Sequence, residues 1–306
     1  MLLDGVLENL IEYLDPLEAK DRPAYEQEAT KIIRKYPQIL GLACNRTNQI
    51  TPLIAAVMSP KHCCSQEVFT LLLQNPSNLN AAKDCGRRPI HYLCYANRAD
   101  YLRQLLAAGD IELNPACHGA LYTPLHLAAM GAAFDAMQVL VQTGKANLEA
   151  VTNQKQTPLH LACFFGQMRS GTNSPAIAEE VALRYEQTID VLLAAGAKVN
   201  VPDADKRTPL YYLASANIPL EIKQRIMAKL IEHGANPGIV DFAKDNFATF
   251  AKRIGQTDFA QMAQESAVPT LRWYCVRAVV NNQQKQLTNI EEIDSALQKM
   301  KLGRGK

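Results

Sequence analysis

The phrase Thr157-Pro158-Leu159-His160 repeats Thr123-Pro124-Leu125-His126 at a distance of 34 residues. Looser copies stand at Arg88-Pro89-Ile90-His91, 35 residues before Thr123, and at Thr51-Pro52-Leu53-Ile54, 37 before that. Another, Thr208-Pro209-Leu210-Tyr211, follows Thr157 by 51 residues, and a degenerate sixth, Asn246-Phe247-Ala248, comes 38 further on. A threonine followed by proline is a strong helix start. The hydroxyl can cap the first turn, and proline's missing N–H falls where no intrahelical partner exists. Behind Thr123 come small alanines, a turn, and a second apolar run ending in Val139-Leu140-Val141 and closed by Gly144. A single helix pair of this size cannot bury both of its faces, so the chain must stack one pair on the next.

A period near 33 that opens with Thr-Pro-Leu-His resembles the ankyrin-repeat family. The closing phrases Ala195-Gly196-Ala197-Lys198-Val199-Asn200 and His233-Gly234-Ala235-Asn236 agree with it. The resemblance covers residues 45–265. It implies an all-α fold, an ankyrin-repeat α-solenoid with short β-hairpin fingers, and a protein-binding module. Residues 1–44 lack the motif. Leu3, Val6, Leu7, Leu10, Ile11 and Leu14 make one apolar helix face, and a second helix is predicted from Pro23 to Tyr36. A stack needs a modified first unit over its exposed end, so this pair reads as a helical N-terminal cap. Residues 266–306 read as a C-terminal cap and basic tail, with one helix over Thr270–Gln284 around Trp273 and another opened by the Thr288/Glu291 capping box.

Composition narrows the function classes. A net charge of +2 with both signs dispersed argues against a general nucleic-acid or membrane surface. No stretch approaches the roughly 20 apolar residues of a membrane span, and Met1-Leu2-Leu3-Asp4 lacks the basic start of a signal peptide. Eight cysteines without paired spacing read as free thiols of a reducing compartment, with Cys94 and Cys163 at repeat positions usually held by small residues. The expected location is cytoplasmic (the host cytosol or nucleus for a bacterial effector), and the expected state is a monomer.

The fingers fall in the residues just before each motif. They hold Arg46, Asn48, Lys83, Arg87, His118, Tyr122, Lys155, Lys206 and Arg207, a mostly basic row that reads as a solvated face or as a surface for an acidic partner. The fourth full repeat carries an insertion at 167–187. Ser174-Pro175 there can open a helix that runs without a breaker to Ala195. The spacing predicts a second helix lengthened by three turns or more and projecting from the array. Ile177, Val181, Arg184, Tyr185, Thr188 and Ile189 would lie on one face of it.

The seventh residue after each motif threonine faces the concave surface in the family that this chain resembles, and is commonly polar there. Here it is Met58, Tyr95, Met130 and Phe164, then Ser215 and Arg253, with Phe165 directly after Phe164. Large apolar side chains at equivalent places in consecutive repeats make a continuous ridge, and such patches serve binding. The expected partner-binding residues are therefore Met58, Tyr95, Met130, Phe164, Phe165, Arg87, His118, Tyr122, Lys155, Arg207, Arg184 and Tyr185.

Catalytic and metal chemistry lack a constellation. His91, His126 and His160 occupy the motif position, where the family's imidazole bridges backbone groups, and His233 precedes Gly234 at a helix end. His62-Cys63-Cys64 lacks the spacing that lets two ligands converge on zinc. Cys117 and His118 are neighbours in an extended finger, so they should point to opposite faces rather than pair as nucleophile and base. Phosphate loops and hydrolase motifs are absent from the sequence, as is a stripe of aromatic residues among basic ones for nucleic acid. No metal and no cofactor is expected. The resemblance also implies a modification, hydroxylation of a loop asparagine, for which Asn200 fits best and Asn80 and Asn114 fit after a one-residue shift. The sequence thus reads as a non-enzymatic adaptor binding a protein or peptide on its concave surface, in one variant a bacterial effector acting on host proteins. The alternative is an enzyme, or a fragment of one, whose stack positions a protein substrate.

Overall fold

The computed structural model describes residues 2–14, 22–44, 49–58, 64–164, 175–216, 218–257 and 259–261. The expectations placed on Arg46, Asn48, His62, Cys63, Phe165, the start of the insertion and the segment 266–306 lie outside them. The chain divides into two compact units, Met1–Gly234 and Ala235–Lys306.

The first unit is two rows of helices. The inner row is α1 (Leu2–Leu14), α3 (Pro52–Met58), α6 (Pro89–Tyr95), α8 (Pro124–Met130), α10 (Pro158–Phe164) and α12 (Pro209–Ser215), each packed on the next. The outer row is α2 (Arg22–Lys35), α4 (Gln66–Leu73), α7 (Ala99–Ala108), α9 (Phe134–Gln142), α11 (Pro175–Ala194) and α13 (Leu220–Glu232), again in sequence. A single helical turn, α5 (Pro76–Leu79), follows α4. Because α1 packs on α3 and α2 on α4, the first pair extends both rows by one step. The second unit contains α14 (Phe247–Arg253), whose Phe247 packs edge-on against Phe259, both fully buried.

All five motif helices have seven residues and begin at the motif proline. Their uniform length has a local cause. The motif residue before the proline adopts an extended backbone at Arg88, Thr123 and Thr208, and the helix starts behind it. At the other end, Asn97 and Ala132 turn the chain in the left-handed region, at φ 55° and 49°. Alanines at 55, 56, 128, 129 and 162 are buried, which lets the two rows approach closely.

The fingers are simpler than β-hairpins. Each closes with two short backbone bonds: one across the finger, from Lys83 N–H to Arg87 O (2.9 Å), Cys117 to Tyr122 (3.0 Å), Thr152 to Gln156 (3.0 Å) and Asp203 to Arg207 (2.9 Å), and one back to the same first residue, from Gly86 N–H to Lys83 O (2.7 Å), Leu121 to Cys117 (3.1 Å), Lys155 to Thr152 (2.9 Å) and Lys206 to Asp203 (3.1 Å). Among the described residues the β-pairing is an isolated bridge between Cys44 and Ile50. Adjacent fingers are tied by their backbones as well, His118 N–H to Cys85 O, Asn153 to Ala120 and Ala204 to Gln154.

The lengthened helix is present, and from Ala182 onward one of its faces packs into the array. At 20 residues α11 is eleven longer than α9, about three turns. Ala182, Tyr185, Thr188, Ile189, Leu192 and Leu193 are buried where α11 packs onto α9 and α13, so of the face read from the sequence Tyr185, Thr188 and Ile189 turn inward, Val181 is half-buried and Arg184 is exposed. The 3.6-residue period identifies an apolar face and leaves open which neighbours it meets.

Candidate interaction surface

The last residue of each inner helix is the seventh after the motif start, so Met58, Tyr95, Met130 and Phe164 end α3, α6, α8 and α10. Tyr95 is 37% exposed, and Met58, Met130 and Phe164 are half-buried. Since these four helices pack side by side, the four side chains follow one another across consecutive repeats. The chain passes close at Gly131, where a Cβ would sit 2.5 Å from the Tyr95 carbonyl oxygen.

The ridge is joined to the fingers. Met58 Sδ lies 4.0 Å from Lys83 Nζ in the next repeat's finger. Phe164 packs edge-on against Tyr212 of the next inner helix, with ring centroids 5.6 Å apart. The Tyr212 hydroxyl donates to Asp203 Oδ2 and accepts from Gln156 Nε2 (2.8 Å), so it ties two fingers together. Burial and that bond to Asp203 hold its proton on well beyond the usual phenol range. Tyr92, at the corresponding place in α6, is half-buried and hydrogen-bonded to Arg87, with its pKa raised chiefly by burial. Sequence reasoning missed both phenols. The available signal was that the fourth residue after the motif start is leucine at Leu127 and Leu161 but tyrosine at Tyr92 and Tyr212.

The finger candidates divide by what they already hold. Arg87, His118 and Lys155 are exposed, while Tyr122 and Arg207 are half-buried. His118 Nδ1 lies 2.9 Å from the Asp84 carbonyl, a brace between fingers. Cys117 beside it is buried, so the two do point apart. Arg207 Nη1 pairs with Asp205 at 3.3 Å. On the long helix Arg184 is exposed and pairs with Glu180 (2.7 Å). Tyr185 is removed from the surface. It is 2% exposed and its hydroxyl donates to the Met130 carbonyl (3.0 Å), a strut beneath the ridge rather than a contact on it.

The motif histidines are structural clamps. Nδ1 accepts the motif backbone N–H at 3.0 Å in His91, 3.2 Å in His126 and 3.0 Å in His160. Nε2 faces a carbonyl of the following finger, Tyr122 O, Gln156 O and Arg207 O at 3.2, 3.0 and 3.1 Å. A carbonyl only accepts, so Nε2 carries the proton and the ring is neutral. Burial lowers all three pKa values to about 4. Burial likewise pushes the Cys94 and Cys163 thiols far up, which keeps them protonated.

Asn200 is exposed, and its amide donates to Gly234 O (2.8 Å). Asn80 and Asn114 donate in the same way to Asp110 O and Lys145 O, and their oxygens accept from Glu112 and Asn147 N–H. These side chains splice each outer loop to the next. Among the described residues, no three of His, Cys, Asp or Glu are grouped as metal ligands, and no helix is long and apolar enough to cross a membrane.

A family model described as "Ankyrin repeats (many copies)" matches residues 122–170. Curated relatives include dog (Canis lupus familiaris) inversin, 31% identical over 171 residues, and human inversin, 30% identical over 173. Each alignment covers 56% of this chain and 14% of the relative. Mouse inversin is 31% identical over 158 residues, 51% of this chain and 12% of its own length. The stretch in common is thus a small part of inversin.

Proposed function

This chain is an ankyrin-repeat protein, and we propose that it is a non-enzymatic protein-interaction module, an adaptor that seats a protein or peptide partner on the surface formed by the inner-helix ends and the fingers. The observation that carries the reading is the run Met58, Tyr95, Met130 and Phe164, apolar side chains left half-buried or exposed at equivalent ends of four consecutive inner helices. Tyrosine, phenylalanine and methionine at such places supply contact area with little rotamer entropy to lose, or with adaptable shape. The surface is also preformed. Finger-to-finger backbone bonds and the histidine clamps fix it before any partner arrives, so binding costs little ordering entropy. Nothing in the comparisons supports a bacterial effector, and the proposal does without it.

The test is partner capture by cross-linking from lysate, comparing the intact chain with the Tyr95→Ala/Phe164→Ala double variant. Capture should be lost while the variant still unfolds cooperatively, with a cost of about 1 kcal/mol from the Phe164–Tyr212 ring contact and somewhat more from lost burial. Undiminished capture by the folded variant would place the binding surface elsewhere.

A further inference from the structure

We infer that the occupant of this surface is an acidic peptide in the polyproline II conformation with an apolar side chain at every third residue. The inference rests on the surface proposed above and gives its partner a chemistry. Packed helices lie about 8–10 Å apart, so the ends of α3, α6, α8 and α10 present Met58, Tyr95, Met130 and Phe164 at that interval. A polyproline II chain makes one turn in three residues with a rise of about 3.1 Å each, returning a side chain to the same edge every ~9 Å. A β-strand repeats its face every two residues, at about 6.7 Å, which falls out of step with the ridge by the second anchor.

The ridge adjoins the fingers, so an occupant of one meets the other. Met58 reaches Lys83 of the adjoining finger, and Phe164 reaches Tyr212, whose hydroxyl is bonded to two fingers. The inner-helix end after Phe164 is the polar Ser215, so the ridge offers four anchors, matching about ten residues of partner. Charge comes from the fingers along one side. Arg87, Lys155 and Lys206 are exposed and Lys83 half-buried; of the acids on these fingers Asp84 is exposed, Asp203 is buried against Tyr212 and Asp205 is paired with Arg207, so the bases outnumber the exposed carboxylates. The residues between the partner's anchors therefore face a basic row, and carboxylates suit it.

The experiment selects a displayed library of random twelve-residue peptides on the full chain. Selected sequences should carry apolar residues three apart with Asp or Glu between them. A synthetic member should bind at least tenfold more weakly after permutation to two-residue spacing, and at least tenfold more weakly to the Tyr95→Ala/Phe164→Ala chain. Selected peptides of seven-residue or two-residue spacing, or without acidic bias, that still need Tyr95 and Phe164 would overturn this inference and leave the proposed surface standing. Peptides indifferent to both substitutions would overturn the two together. Failure to enrich any peptide would overturn the extended-peptide inference.

Discussion

From α6 to α12 every step between repeats carries a buried histidine that bonds its own motif backbone and a carbonyl of the following finger. The step from α3 to α6 has Ile54 in that place, fully buried, with Thr51 Oγ1 accepting the Ile54 N–H (3.3 Å). Both steps pack the same seven-residue helices. One kind of junction is held by apolar burial alone at this position, and the other adds directional bonds that exist in a single protonation state. The central repeats should therefore be more sharply specified, and also more vulnerable to acid, than the first.

Acidification gives the largest contrast. The folded pKa of about 4 for His91, His126 and His160 lies below the ordinary 6.5, so the unfolded chain takes up protons that the folded chain refuses. Stability is then flat above pH 7 and falls as pH drops from 6.5 toward 4, by about 3 kcal/mol per ring at the bottom of that window. Urea midpoints measured from pH 8 to pH 4 should follow this curve, and amide exchange should show α8 and α10 losing protection before α3. A midpoint that stays level to pH 4.5 would mean that the rings are not held neutral in the fold.

A single-site break comes next. His126→Ala leaves the Gln156 carbonyl and the Thr123 N–H without the ring, each in a buried or half-buried setting, and should cost about 3 kcal/mol. The same variant should remove about a third of the acid dependence, since one of three rings is gone. Urea unfolding at pH 8 and pH 5 tests both parts. A cost below 1 kcal/mol would show that the clamp contributes little beyond what Ile54 supplies in the first step.

What the sequence revealed follows from where the constraints are local. The inner helices were legible because Thr-Pro states where they begin and the repeat length states where they end. The ridge was legible because comparing repeats at one position exposes a departure such as Met130 or Tyr95. Tyr92 and Tyr212 escaped because the comparison looked at helix ends and not at the fourth position. Tyr185 was misplaced for another reason. Its burial depends on α9, α13 and the Met130 carbonyl, partners distant in sequence that no periodicity within α11 can name. The fingers proved to be two-bond turns because five or six residues are too few for a ladder, and the left-handed residue near their end does the reversing.

That residue offers the smallest effect and the most even one. Two positions before each motif start the backbone is left-handed in all six repeats: Gln49 (φ 60°), Gly86 (76°), Leu121 (59°), Lys155 (58°), Lys206 (62°) and Lys244 (62°). A residue with a Cβ pays steric strain there that glycine avoids, partly offset by glycine's greater freedom when unfolded. Leu121 is 44% exposed, so little burial is lost with its side chain. Leu121→Gly should stabilise the fold by about 0.5–1 kcal/mol, and Gln49→Gly by a similar amount. The first lies among the clamped repeats and the second in the repeat with Ile54 in the histidine's place, and neither change replaces a residue that makes a clamp bond. Equal gains in urea midpoint, unchanged between pH 8 and pH 5, would show that the finger turn is common to both kinds of repeat and that the histidines alone set them apart. A gain confined to Leu121 would mean that the clamp also tightens the finger, and the two contributions would have to be treated as coupled.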